Sequence, residues 1–201
     1  LGDYDRSIAR GEAAIEALKE AGVERSIGAE VMANVIESCV AGGRPARALE
    51  LLPRALQLMT AAPWLSFIGR SMAAHHAWND EPQSVGEMQR LGPPEVRAAD
   101  AEERAGWARV EAEHLLNLAA ASTAERDELT VRALSEVGLL AHPATEIPVF
   151  LLAAIPAAAR AVAAGRRHHI PVDPALENEL ASMLGTLPDY AIAAAWQALA
   201  D

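Results

Sequence analysis

Aromatic side chains are scarce: Phe, Trp and Tyr make up 4% of the 201 residues. That excludes a thick aromatic core, although 51% of the residues are apolar and the length suffices for one sizeable domain or one run of repeats. Alanine must do much of the covering, which favours helices lying close together. Basic residues are also short, with 17 Lys and Arg against 28 Asp and Glu and a formal net charge of −11. Phosphate contacts need clustered cations, so direct nucleic-acid binding by this segment is not expected. An anionic membrane surface is disfavoured on the same ground. The single cysteine, Cys39, excludes an internal disulfide and suits a reducing, cytoplasmic setting. No run of residues alternates with period two, so no strands are predicted and the fold class is all-α.

The motifs of common chemistry are missing as well. The chain contains no GxxxxGK[ST] phosphate loop, no GxGxxG, no GxSxG elbow, no HExxH and no paired cysteines. The histidines fall as His75-His76, His114, His142 and His168-His169. Neighbouring residues on a helix point about 100° apart, so His75-His76 cannot grip one metal as an i, i+4 pair does. Arg166-Arg167-His168-His169 reads as a solvated basic loop offsetting the dipole of the helix before it. Cys39 lies on an apolar stripe and reads as a buried thiol, and acidic pairs such as Glu102-Glu103 read as solvated faces. No catalytic residues, cofactor or metal are predicted, and an enzyme is not expected.

What the chain does contain is helical periodicity that repeats. From Glu30, the residues Val31, Val35, Ile36 and Cys39 recur at helical spacing up to the break at Gly42-Gly43. Pro45 then opens a second helix, with Ala48, Leu49, Leu52, Ala55 and Leu56 on one face. Such a hairpin cannot bury both faces alone and needs a copy of itself alongside. Gly2 to Ile8 matches Gly43 to Leu49 at an offset of 41 residues. A weaker copy from Asn79, at an offset of 36, places Ser84 on Ala48, Val85 on Leu49, Met88 on Leu52 and Leu91 on Ala55.

Punctuation predicts about ten helices in all. The first spans Tyr4 to Glu20 with Asp3 as cap; the fourth spans Pro63 to Trp78; the fifth runs from Pro82 to the break at Gly92-Pro93-Pro94. A long sixth helix runs from Pro94 or Glu95 to Ala120, with Trp107, Val110, His114 and Leu118 on one face. Ser122-Thr123-Ala124-Glu125 is a capping box for a seventh, ending near Val137-Gly138. An eighth spans Glu146 to Ala164; its apolar stretch holds Arg160 and two prolines and reads as a buried helix, not a membrane span. A ninth has Asp173 as cap, Pro174 at its first position and Gly185 past its end, and a tenth starts near Pro188. Pro53 should distort the third. The chain opens inside a repeat and closes inside a helix. It is therefore expected to be one helical-repeat domain over 1–201, with a soft break near 92–94, cut from a larger protein.

The hairpin resembles the tetratricopeptide repeat, which closes one helix at a glycine and follows with an aromatic and small residues at set spacings. Gly2-Asp3-Tyr4, Asn34, Ala48, Leu52 and Ala55 carry the resemblance. Pro45 in place of the aromatic and Gly11 in place of a large apolar residue depart from it. The spacings also exceed the usual repeat of about 34 residues. This looser form is similar to the helical-repeat region of large LuxR-type bacterial transcriptional activators. The phrases Leu1-Gly2-Asp3-Tyr4, Ala21 to Ala29, and Gly42 to Leu49 carry that likeness.

The resemblance implies a TPR-like α-solenoid that relays signals in transcription regulation through protein–protein interaction. Its partners would be a flanking ATPase and a DNA-binding domain of the same protein, another protein, or a small effector. It also implies a concave groove lined by Glu30, Ala33, Glu37, Val40 and Ala41 of the second helix. Ser66, Gly69, Ala73, His76 and Ala77 of the fourth would continue it; the alternative is that these positions contact the next part of the same protein. A stand-alone adaptor or scaffold of the same fold is the alternative, and an all-α enzyme with an unrecognised site ranks last.

Overall fold

The computed structural model describes residues 3–59, 61–97, 101–138 and 148–186. Every regular element among them is helical. The chain divides into two compact units, Leu1–Arg97 and Ala98–Asp201. The division falls just after the Gly92-Pro93-Pro94 break.

The first unit opens with α1, Tyr4–Glu20, whose N-cap Asp3 accepts a hydrogen bond from the Arg6 backbone N–H at 3.1 Å. A five-residue π-helical turn, Glu24–Gly28, leads into α2, Ala29–Ala41. Then follow α3, Pro45–Leu58, α4, Ala62–Trp78, α5, Pro82–Gln89, and the single turn α6, Pro94–Arg97. Helix α2 is the hub, packing against α1, α3 and α4, while α4 also packs against α5. Of its expected stripe Val35, Ile36 and Cys39 are buried and Val31 is half-buried, and Met32 and Ala33 are buried with them. Gly11 permits the close approach of α1, since a Cβ there would land on the Val35 side chain. This is why a glycine stands where the resembling repeats carry a large apolar residue.

Helix α3 is tied to its neighbours by three arginines. Arg44 meets Asp5 at 2.7 Å, Arg47 meets Glu12 at 2.6 Å, and Arg54 takes both oxygens of Glu24 at 2.6 and 3.2 Å. These exposed pairs fix which side of α3 faces α1 more than they stabilise it. Pro53 lies inside α3 on its exposed side, where its missing N–H leaves a carbonyl that water can serve.

Helices α2 and α4 end alike. After α2, Gly43 (φ 71°) donates to the Val40 carbonyl and Arg44 to the Cys39 carbonyl, at 3.1 and 2.7 Å. After α4, Asp80 (φ 57°) donates to the Ala77 carbonyl and Glu81 to the His76 carbonyl, at 3.2 and 2.9 Å. This doubled closure satisfies carbonyls the helix end would otherwise orphan. A proline then takes the first position of the next helix in both cases, Pro45 and Pro82. The repeat offset is therefore 37 residues and not 36. Val85 falls on Ala48, both wholly buried, while Leu49, which the shorter offset paired with Val85, is 44% exposed. The left-handed closing residue sets the register, and asparagine at 79, one residue earlier, was mistaken for it.

The second unit contains α7, Ala101–Ala121, α8, Arg126–Gly138, α9, Pro148–Arg167, and α10, Pro174–Thr186. Helices α7, α8 and α9 pack against one another and α10 packs on α9. Small residues make this possible: Ala105, Ala108, Ala112, Ala133, Ala157, Ala158 and Ala161 all lie in its core. Ser122 caps α8 by accepting the Glu125 N–H at 3.2 Å, and Asp173 caps α10 by accepting the Ala175 N–H at 2.8 Å.

The expected long sixth helix covers α6 and α7, and 98–100 between them lie outside the described residues. Two expected boundaries move. Helix α9 runs on through Arg166-Arg167, so the expected basic loop is its last turn. It closes at His169 (φ 56°) by the same doubled bond pattern, His169 to the Arg166 carbonyl and Ile170 to the Gly165 carbonyl. Arg166 is solvent-exposed, as expected, and also meets Glu177 of α10 at 3.1 Å, so it bridges two helices. Gly185 lies inside α10 because a glycine ends a helix only where it takes a left-handed conformation. The start expected at Glu146 and the helix expected near Pro188 lie outside the described residues. No helix among the described residues is long and apolar enough to cross a membrane.

Candidate functional site

The groove residues inferred from the repeat register separate into two groups. On α2, Glu30 is exposed and Glu37 and Val40 are half-buried. With exposed Asn34 and Ala41, Glu30 and Glu37 form a narrow polar stripe at helical spacing. Ala33, by contrast, is buried in the core of the first unit. On α4, Ser66, Gly69, Ala73, His76 and Ala77 are all buried. Gly69 shows the cause: a Cβ there would stand 2.7 Å from the Met88 carbonyl oxygen and 2.9 Å from Leu91 Cβ. The chain carrying α5 lies directly on that face of α4. The open surface of the expected groove is thus confined to α2.

The C-terminal end of α4 gathers a polar cluster. His76 Nδ1 lies 2.6 Å from Glu81 Oε2, and the backbone bond between the same two residues ties the turn a second time. Asn79 donates from its amide to the His75 carbonyl at 2.9 Å. The imidazoles of His75 and His76 are tilted with centroids 5.3 Å apart. Burial, and then the neighbouring His76, push the His75 pKa below its ordinary value. No group of three or more His, Cys, Asp or Glu suited to a metal occurs among the described residues. The geometry of this cluster is that of a helix closure. Cys39 is fully buried and its thiol is raised above its usual pKa, first by burial and then by the nearby Glu12 carboxylate, so it stays protonated.

The most unusual polar group is one the sequence reading passed over. Glu113 of α7 is wholly buried, and neither carboxyl oxygen has a hydrogen-bond partner among the described residues. Arg109 Nε, one turn earlier, stands 3.5 Å from Glu113 Oε1 and is likewise without a hydrogen bond. One turn later, Asn117 accepts a 2.8 Å hydrogen bond from Arg160 Nη2 of α9. Burial raises the Glu113 pKa above the ordinary carboxylate value, and the Arg109 and Arg160 charges only partly oppose it. Glu136 of α8 is also raised, by burial and then by Glu111. The signal was present: Arg109, Glu113 and Asn117 lie four residues apart on one helical face. It was obscured because α7 is buried on nearly every side, so polar and apolar residues do not sort into two faces.

Comparison with protein-family models, with curated proteins and with solved structures finds no match to this chain.

Proposed function

We propose that this chain is a helical-repeat interaction segment of a large LuxR-type transcriptional regulator. Its work is to hold or relay between an ATPase and a DNA-binding domain, through contacts with protein or a small effector. The observation that carries the reading is the recurrence at 37 residues in the first unit. The same left-handed closure, first-turn proline and buried first-turn residue begin both α3 and α5. Sequential helices that pack as neighbours, with α2 also meeting α4 and α7 also meeting α9, support stacked hairpins in each unit. The phrases resembling the regulators' repeat region supply the rest. Contact along the partly exposed stripe of α2 suits a cationic or hydrogen-bonding partner surface, because exposed Glu30 and half-buried Glu37 flank Asn34 there.

Sequencing the gene on both sides of this segment tests the regulator reading. A phosphate-loop ATPase before it and a helix-turn-helix after it support the proposal. A start codon directly before Leu1 and a stop after Asp201 would discard it in favour of a free-standing adaptor.

A further inference from the structure

The contact between α7 and α9 contains a charge arrangement that a purely structural seam does not need. Glu113 is enclosed with both oxygens unpartnered among the described residues, and Arg109 Nε stands 3.5 Å from its Oε1, at the outer edge of hydrogen-bond reach. Arg160, which crosses from α9, donates to Asn117. Glu111, two residues from Glu113, points to the opposite side of α7, where it acts on Glu136 of α8 along with Arg132. The charges acting on Glu113 are therefore Arg109 from its own helix and Arg160 from α9. Ala112, Leu116 and Ala159 belong to the same core and offer no polar atom beyond their backbones.

We propose that the α7–α9 seam is a proton-controlled joint, closed when Glu113 is neutral and loosened when it ionises. A neutral carboxyl tolerates an interior position far better than a carboxylate without hydrogen bonds. Opening the seam hydrates the carboxylate. The direction follows from proton linkage. The closed state holds the Glu113 proton more tightly than the open state, so opening becomes easier as pH rises above the ordinary carboxyl value of 4.5. Opening increases by up to about tenfold per pH unit until the closed-state carboxyl has itself titrated, and then levels off.

The test is hydrogen exchange of the full chain between pH 4.5 and pH 8, corrected for the intrinsic pH dependence of exchange. Protection of α7 and α9 should fall with rising pH while that of α2 and α3 stays level. In Glu113→Gln the α7 and α9 protection should lose most of its pH dependence, leaving only what Glu136 of α8 contributes. Equal pH profiles in wild type and Glu113→Gln would overturn the proposal. The wild-type protein gives a second reading that needs no variant, the carbon-13 shift of the Glu113 carboxyl. A titration well above the exposed glutamates supports the joint; a titration among them refutes it.

Discussion

Two glycines of one hairpin should respond oppositely to the same substitution. Gly69 lies inside α4 and Gly86 inside α5, so Ala gains about 1 kcal/mol of helix propensity at either position. At Gly86 a Cβ meets nothing within 4 Å, and the full gain should appear. At Gly69 it meets the Met88 carbonyl oxygen at 2.7 Å and Leu91 Cβ at 2.9 Å. A backbone carbonyl cannot rotate aside, so the α4–α5 contact must spread, at a cost of about 1–3 kcal/mol. Gly86→Ala should therefore be more stable than wild type, and Gly69→Ala less stable than Gly86→Ala by at least about 1 kcal/mol. Urea unfolding followed by far-ultraviolet circular dichroism reads this directly. With a slope of about 2 kcal/mol per molar urea, the two midpoints should differ by about 0.5 M or more. Equal stabilisation by both substitutions would refute the packing of α5 onto Gly69, and with it the burial of the α4 residues expected to line a groove.

Four further substitutions probe the register, the closures and the ion pairs. Val85→Ala empties a wholly buried position and should cost about 1.5–2.5 kcal/mol, whereas Leu49→Ala should stay within about 0.5 kcal/mol in the same unfolding assay. The reverse order would restore the 36-residue offset. His169→Gly relieves a left-handed residue at the end of α9 and should stabilise by about 0.5–1 kcal/mol, measurable as a raised thermal midpoint. Arg54→Ala removes a two-point pair with Glu24 and should cost about 0.5–1 kcal/mol at low salt, and less in 1 M salt.

The helical class and most helix ends were legible because their signals are local. Asp3, Ser122 and Asp173 cap the helices they were expected to cap, since a side-chain oxygen two or three residues before free N–H groups acts whatever surrounds it. Gly43 was legible for the same reason. Asp80 and His169 were less so, because Asp and His enter the left-handed region more often than most residues yet far less readily than glycine, and aligning Asn79 with Gly43 moved the repeat by one position. Groove exposure was the least readable property. The side chains of α4 follow the expected period, yet which faces are covered depends on how closely α5 approaches, and Gly69 decides that. Glu113 escaped because its burial comes from helices packed onto α7, which lie later in the chain, and not from its own neighbours in sequence.

The proposal that the partly exposed stripe of α2 is a contact surface within a larger regulator is most directly tested by carboxyl footprinting. Carbodiimide labelling with mass-spectrometric readout would compare Glu30 and Glu37 in this chain alone and in the complete product of its gene. Glu87, exposed on α5, serves as the reference. Labelling of Glu30 and Glu37 should fall several-fold in the complete product while that of Glu87 stays level. Equal labelling of all three in both forms would contradict the account.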